Sequence, residues 1–151
     1  MKAWKRVLLI VFGVFLLAIP LVLRFGFQVI RVYGQSMEPA LHEGDHLVIG
    51  KGTYHHGDIL VFGSREGTLV KRVIGCPGDT VRMHDGVLTV NGIYTEEPYL
   101  AKTDTSEFTV TVPEGQYFVL GDNREHSKDS RAFGCVPESM IVGRVLWIFP
   151  K

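Results

Sequence analysis

The chain has 151 residues, a length suited to one domain, and its 16 basic side chains balance its 16 acidic ones. Beyond residue 23 the acids outnumber the bases by three, which argues against a nucleic-acid binder, whose mark is a basic patch. Its two cysteines, Cys76 and Cys135, either bridge in an oxidising compartment or stay as buried thiols, and by themselves they do not make a zinc site.

From Val7 to Leu23 the sequence reads VLLIVFGVFLLAIPLVL, with no charged or strongly polar side chain. A helix that is apolar all round predicts a membrane span, at the short end of the length a bilayer requires. Lys2, Lys5 and Arg6 precede the run, and Arg24 and Arg31 follow it; this balance predicts the N-terminus inside and the rest of the chain outside. Residues 1–6 are then a cytoplasmic basic N-terminus, 7–23 a transmembrane anchor and 24–151 an extracytoplasmic domain. A cleaved leader needs small residues three and one before the cut, and no such pair stands near Ala18, Ile19 and Pro20, so the expected anchor is uncleaved. Pro20 would kink it near its outer end.

Past the anchor, short apolar runs alternate with turn residues. FQVIRVYG (27–34), HLVIGK (46–51), DILVFG (58–63) and TLVKRVIG (68–75) read as strands. VRMHDGVLTVNGIY (81–94) interrupts its alternation with Asp-Gly and Asn-Gly, a strong hairpin signal. EFTVTVPEG, QYFVLGDN and MIVGRVLWIFP add three more strands, and YLAKTDTSEF (99–108) reads as a loop. Seven or more strands at this spacing predict a mainly β, twisted antiparallel domain with a sandwich or barrel-like core. One short helix after Ser36 is expected, with Pro39 in its first turn.

Ser36 lies in the polar break YGQSMEPALHEGD, where a serine is ordinarily a turn or cap residue; as a nucleophile it would need a base. The six histidines show neither HExxH spacing nor another metal signature. In TLVKRVIG, alternation places Leu69, Lys71 and Val73 on one face and Val70, Arg72 and Ile74 on the other. Lys71 either snorkels outward from an edge strand or is buried; burial would disfavour its ammonium form and make it a general base. A third stretch, GDNREHSKDSR (121–131), crowds charges and serines just past a strand, as a solvated cluster or as a self-satisfied network that pins down a site.

SMEP, EGDHLVIGK, KRVIGCPGD and GDNREHSKDSR, in that order behind an apolar N-terminal run, resemble the signature boxes of type I signal peptidases, membrane-bound Ser/Lys proteases that remove signal peptides from exported proteins. The resemblance spans residues 30 to 144. It implies Ser36 as nucleophile and Lys71 as general base, with Ser127 orienting the lysine amine and Asp129 and Arg131 forming a supporting ion pair. It also implies an oxyanion donor in the backbone N–H of Ser36, and small apolar pockets near Val32, Met37, Leu41, Leu69 and Val70 that accept Ala-x-Ala sites. Some members place a hydroxyl two residues before the nucleophile; here that residue is Gly34. With only about forty residues between Asp79 and Gly121, the chain resembles the compact bacterial form. The implied partners are secretory preproteins and the lipid bilayer of the plasma membrane, with no nucleic acid, no cofactor and no metal. Self-cleaving repressors of the LexA type share the expected fold and dyad, but no Ala-Gly or Cys-Gly bond precedes Ser36. The non-catalytic alternative is a membrane-tethered β module that binds a partner.

Overall fold

Alternating side chains on short strands need two layers to bury one face of each, and this chain builds them from two antiparallel sheets. The computed structural model describes residues 3–24, 26–100, 102 and 104–151. Helix α1 (Ala3–Arg24) comes first. The strands follow as β1 (Gln28–Arg31), β2 (His46–Gly50), β3 (Ile59–Ser64), β4 (Gly67–Gly75), β5 (Thr80–His84), β6 (Val87–Val90), β7 (Ile93–Tyr94), β8 (Phe108–Thr111), β9 (Gln116–Leu120), β10 (Val136–Pro137) and β11 (Ile141–Phe149). One helical turn, α2 (Ser130–Phe133), stands between β9 and β10. The larger sheet has the order β1-β2-β11-β3-β4-β9-β10, and the smaller one β7-β6-β5-β8.

The hairpins form where the turn residues demand them. Asp85 and Asn91 take φ values of +50° and +54°, the left-handed conformation that a two-residue turn of matching twist requires. The smaller sheet packs Val81, Met83 and Leu88 against Phe118 and Leu120 of β9. A second apolar cluster gathers Leu60, Phe62, Val73, Val119 and Ile141 of the larger sheet, and a third holds Val32, Met37, Leu41, Leu47, Ile49 and Val61.

Two features differ from expectation. Residues 37–40 form turns and no helix: Leu41 N–H closes a single bond back to the Met37 carbonyl, and the chain then bends through Asp45 into β2. The short helix lies instead at Ser130–Phe133, where the Asp129 carboxylate accepts from the Arg131 N–H as its N-cap.

The expected anchor, residues 7–23, falls within α1, but the side chains of residues 15 and 17–23 lie outside the described ones, as does Lys2 of the expected basic N-terminus. Among the described residues no helix is long and apolar enough to cross a membrane. The described apolar side chains of α1, among them Ile10, Phe12 and Val14, are each more than half exposed.

Candidate active site

The loop from Val32 to Asp45 joins β1 to β2 and carries Ser36. Its ends are zipped together, with Val32 N–H donating to the Asp45 carbonyl at 2.8 Å and Gly44 N–H to the Val32 carbonyl at 3.0 Å. The Asp45 side chain, 4% exposed, accepts from the His42 N–H at 2.9 Å and the Lys151 N–H at 3.1 Å. The loop thus has a fixed base, and Met37 and Leu41 fill the core beneath it.

Lys71 reaches this loop from β4. That strand is central, paired with β3 on one side and β9 on the other, so neither of its two adjacent cations can snorkel from an edge. Lys71 stands opposite Leu60 in the register, on the face it shares with Leu69 and Val73, and is only 3% exposed. Its Nζ lies 2.6 Å from Ser36 Oγ and donates to the Val70 carbonyl at 2.8 Å. Burial brings its pKa down from 10.5 to about 8, outweighing the opposing pull of Asp129 and Asp122. Near neutral pH a usable fraction of the amine is therefore unprotonated and able to accept the hydroxyl proton.

Arg72, the other cation, points to the opposite face. Its guanidinium donates to both Asp122 oxygens at 2.8 and 2.6 Å, donates to the Gly57 carbonyl at 2.8 Å and sits 4.1 Å over the Tyr99 ring. Burial pushes the Asp122 carboxyl up, against the attraction of Arg72.

The stretch 121–131 carries a buried network, with only Glu125, His126 and Lys128 exposed. Asp129, fully buried, accepts from Gly121 N–H at 3.0 Å and from Arg131 Nε and Nη2 at 2.8 and 2.9 Å. Arg131 also donates to the Arg124 carbonyl at 2.7 Å, and Arg124 pairs with Glu97 and, at 2.8 Å, with Asp104. Ser127 behaves differently from expectation. Its hydroxyl is buried and has no hydrogen-bond partner among the described residues, so the expected bond to the lysine amine is not made. The hydroxyl is packed instead against Gly121.

Gly121 and Asn123 were not singled out by the sequence, yet they touch the Ser36 segment directly. A Cβ on Gly121 would lie 2.2 Å from Ser127 Oγ and 2.5 Å from the Ser36 carbonyl oxygen, so only glycine fits between them. Asn123 N–H donates to that same carbonyl at 3.1 Å, and its side-chain amide to the Gln35 carbonyl at 3.1 Å. A Gly-Asp-Asn run after a strand signals a turn, but nothing local reveals a partner almost ninety residues away.

A cleft of about 390 Å³ opens beside Ser36 and Lys71, lined by Ile30, Val32, Tyr33, Met37, Leu69 and Val70 among others. Four of the five expected pocket residues line it. Leu41 does not: it is fully buried in the core, because the Met37–Leu41 turn folds it inward. A larger hollow of about 490 Å³ lies beyond Leu69, lined by Phe62, Phe133 and Met140, and contains neither Ser36 nor Lys71. Cys76 and Cys135 are free thiols packed against different apolar clusters.

A serine hydroxyl against a buried amine, backed by a buried polar network, can be compared with known proteins. The family model described as signal peptidase, peptidase S26 matches residues 4–149. The chain belongs to this family. It is 39% identical over 148 residues to a signal peptidase I of Bacillus licheniformis, covering 85% of this chain and 80% of that protein. It is 40% identical over 148 residues to signal peptidase I T of Bacillus subtilis (strain 168), covering 85% and 77%. The crystal structure of a signal peptidase I from Enterococcus faecalis V583 superposes with a TM-score of 0.59 at 39% identity, covering 65% of this chain and 100% of that one. The mainly β, antiparallel architecture is thus shared with a solved member of the family.

Proposed function

We propose that this chain is a membrane-anchored serine endopeptidase that removes signal peptides from secretory preproteins, with Ser36 as nucleophile and Lys71 as general base. The observation that carries the reading is the 2.6 Å contact between Ser36 Oγ and a lysine amine buried to a pKa of about 8. The unprotonated amine takes the hydroxyl proton as Ser36 Oγ attacks the carbonyl carbon of the signal peptide's last residue. The Ser36 N–H stabilises the oxyanion. Lys71 then gives its proton to the leaving amine, and a water deprotonated by the same lysine frees the acyl-enzyme. Asp129 and Arg131 hold the loop that backs Ser36, and Ser127, whose buried hydroxyl is otherwise without a partner among the described residues, orients the lysine amine.

The apolar cleft takes small side chains three and one before the cut, through Val32, Met37, Leu69 and Val70. Gly34 supplies no hydroxyl as a second oxyanion donor, and its φ of +80° disfavours any residue that would.

Residues 7–23 anchor the chain in the plasma membrane in a single pass, N-terminus in the cytoplasm and the β domain outside. Supporting this are the uncharged stretch, the flanking cations and the exposure of the described apolar side chains, which the β domain leaves uncovered. On the β domain, Val29 and Trp147, which flank Val48 in the register, and Phe149 add exposed apolar side chains.

The test is cleavage of a purified preprotein with an Ala-x-Ala site by the full chain in detergent micelles. Wild type should cut after the last Ala, and Ser36→Ala and Lys71→Ala should be folded but inactive. Failure of wild type to cut, or cutting by Lys71→Ala at the wild-type rate, overturns the proposal.

A further inference from the structure

Outside the Ser36 cleft, two turns bring together a set of donors that the proposed peptidase chemistry does not use. His56 lies in the turn before β3, and Cys76 and Asp79 lie in the turn from β4 to β5. A ring nitrogen of His56, Cys76 Sγ and an Asp79 oxygen all lie within 4.8 Å of one another. The donors are one imidazole nitrogen, one sulfur and one carboxylate oxygen, a mixture suited to a borderline-soft cation and poorly suited to magnesium or calcium.

The turns that carry these donors are fixed. Gly57 N–H donates to the Val73 carbonyl at 2.9 Å, and Val73 N–H to the Asp58 carbonyl at 2.8 Å, so the first turn is zipped onto β4. Asp79 Oδ2 accepts from the Cys76 N–H at 2.7 Å and lies 2.6 Å from His56 Nε2. Asn91 Nδ2 donates to the other Asp79 oxygen at 2.7 Å, the kind of outer contact that orients a carboxylate ligand. The Asp79 side chain is 13% exposed and that of His56 54%, so the site opens to solvent on the histidine side.

We propose that His56 Nε2, Cys76 Sγ and Asp79 Oδ2 bind one zinc-class divalent cation, with water in the fourth position, clamping the 55–58 turn to the β4–β5 turn. Zinc holds such donors roughly 3 to 4 Å apart in a tetrahedron, so the imidazole, on an exposed side chain, needs only a small rotation away from Asp79. Binding releases the thiol proton to solvent and fixes the neutral imidazole with its proton on Nδ1, leaving Nε2 free to ligate, and it stabilises the folded chain because the unfolded chain has no such cluster. The site lies just past the end of the strand of Lys71 and supplies no group to the Ser36 cleft, so its existence does not depend on the proposed reaction.

The test titrates Co²⁺ into the EDTA-treated full chain in detergent micelles and follows the near-ultraviolet thiolate-to-cobalt band, with Zn²⁺ as competitor. A band that saturates at one equivalent, is displaced by Zn²⁺, is lost in Cys76→Ser and is kept in Cys135→Ser is expected. His56→Gln, a change at an exposed side chain that leaves the fold intact, should weaken binding at least tenfold and abolish the rise in melting temperature on adding Zn²⁺. No saturable band in wild type, a band that survives Cys76→Ser, or undiminished affinity in His56→Gln overturns the proposal.

Discussion

Burying Lys71 has a stability consequence that can be separated from its chemistry by replacing it with methionine. The fall in pKa from 10.5 to about 8 means that below about pH 8 the folded protein holds an ammonium in a poor environment at a cost of about 3 kcal/mol. Between about 8 and 10.5 the unfolded chain binds a proton that the folded one has released, so stability rises with pH through that window. The penalty is then about 3 kcal/mol near pH 7 and about 1 kcal/mol near pH 10. Lys71→Met removes the charge while keeping the length of the side chain. It also loses the bonds to Ser36 and Val70, a cost of about 1 kcal/mol each that does not vary with pH. Chemical denaturation of both proteins in micelles should therefore show the mutant's relative stability falling by about 2 kcal/mol between about pH 7 and pH 10. Tyrosine and cysteine titrations, common to both proteins, cancel in the difference. A stability difference that stays constant with pH would refute the claim that burial lowers the lysine.

Three further substitutions test the surroundings. Gly121→Ala places a methyl within 2.5 Å of the Ser36 carbonyl oxygen, so preprotein cleavage should fall about 100-fold and stability by about 1–3 kcal/mol; wild-type cleavage would show that the close approach does not matter. Arg131→Met leaves the fully buried Asp129 without its main partner and should cost about 3–5 kcal/mol in denaturation, whereas a loss under about 1 kcal/mol would mean the pair is solvated. Ser127→Ala removes a buried hydroxyl with no partner among the described residues, so stability should hold or rise by about 1 kcal/mol while kcat/KM drops about tenfold; unchanged kcat/KM would remove Ser127 from the mechanism.

The strands were legible because their signals are local: period-two alternation, and Asp-Gly and Asn-Gly turns that Asp85 and Asn91 adopt at positive φ. The burial of Lys71 was not, because it depends on β4 pairing with both β3 and β9, a non-local outcome. The same limit hid Gly121 and Asn123, whose contacts to Ser36 join segments far apart in the chain. Leu41 was misplaced for a different reason. An apolar residue in a polar loop reads equally as pocket lining or as the plug beneath, and only the inward turn from Met37 decides. The turn at Ser130–Phe133 does carry a signal, Asp129 as a cap, but in the sequence that cap is indistinguishable from an aspartate that simply pairs with Arg131.

The pairing of Ser36 with Lys71 is tested most directly by the pH dependence of kcat/KM for preprotein cleavage by the full chain in micelles. A base with a pKa of about 8 predicts a rate near pH 7 of about one tenth of the maximum, half the maximum near pH 8 and a plateau above about pH 9. A rising limb centred near pH 6.5, where an ordinary histidine titrates, or a rate that does not vary over this range, would contradict Lys71 as the base.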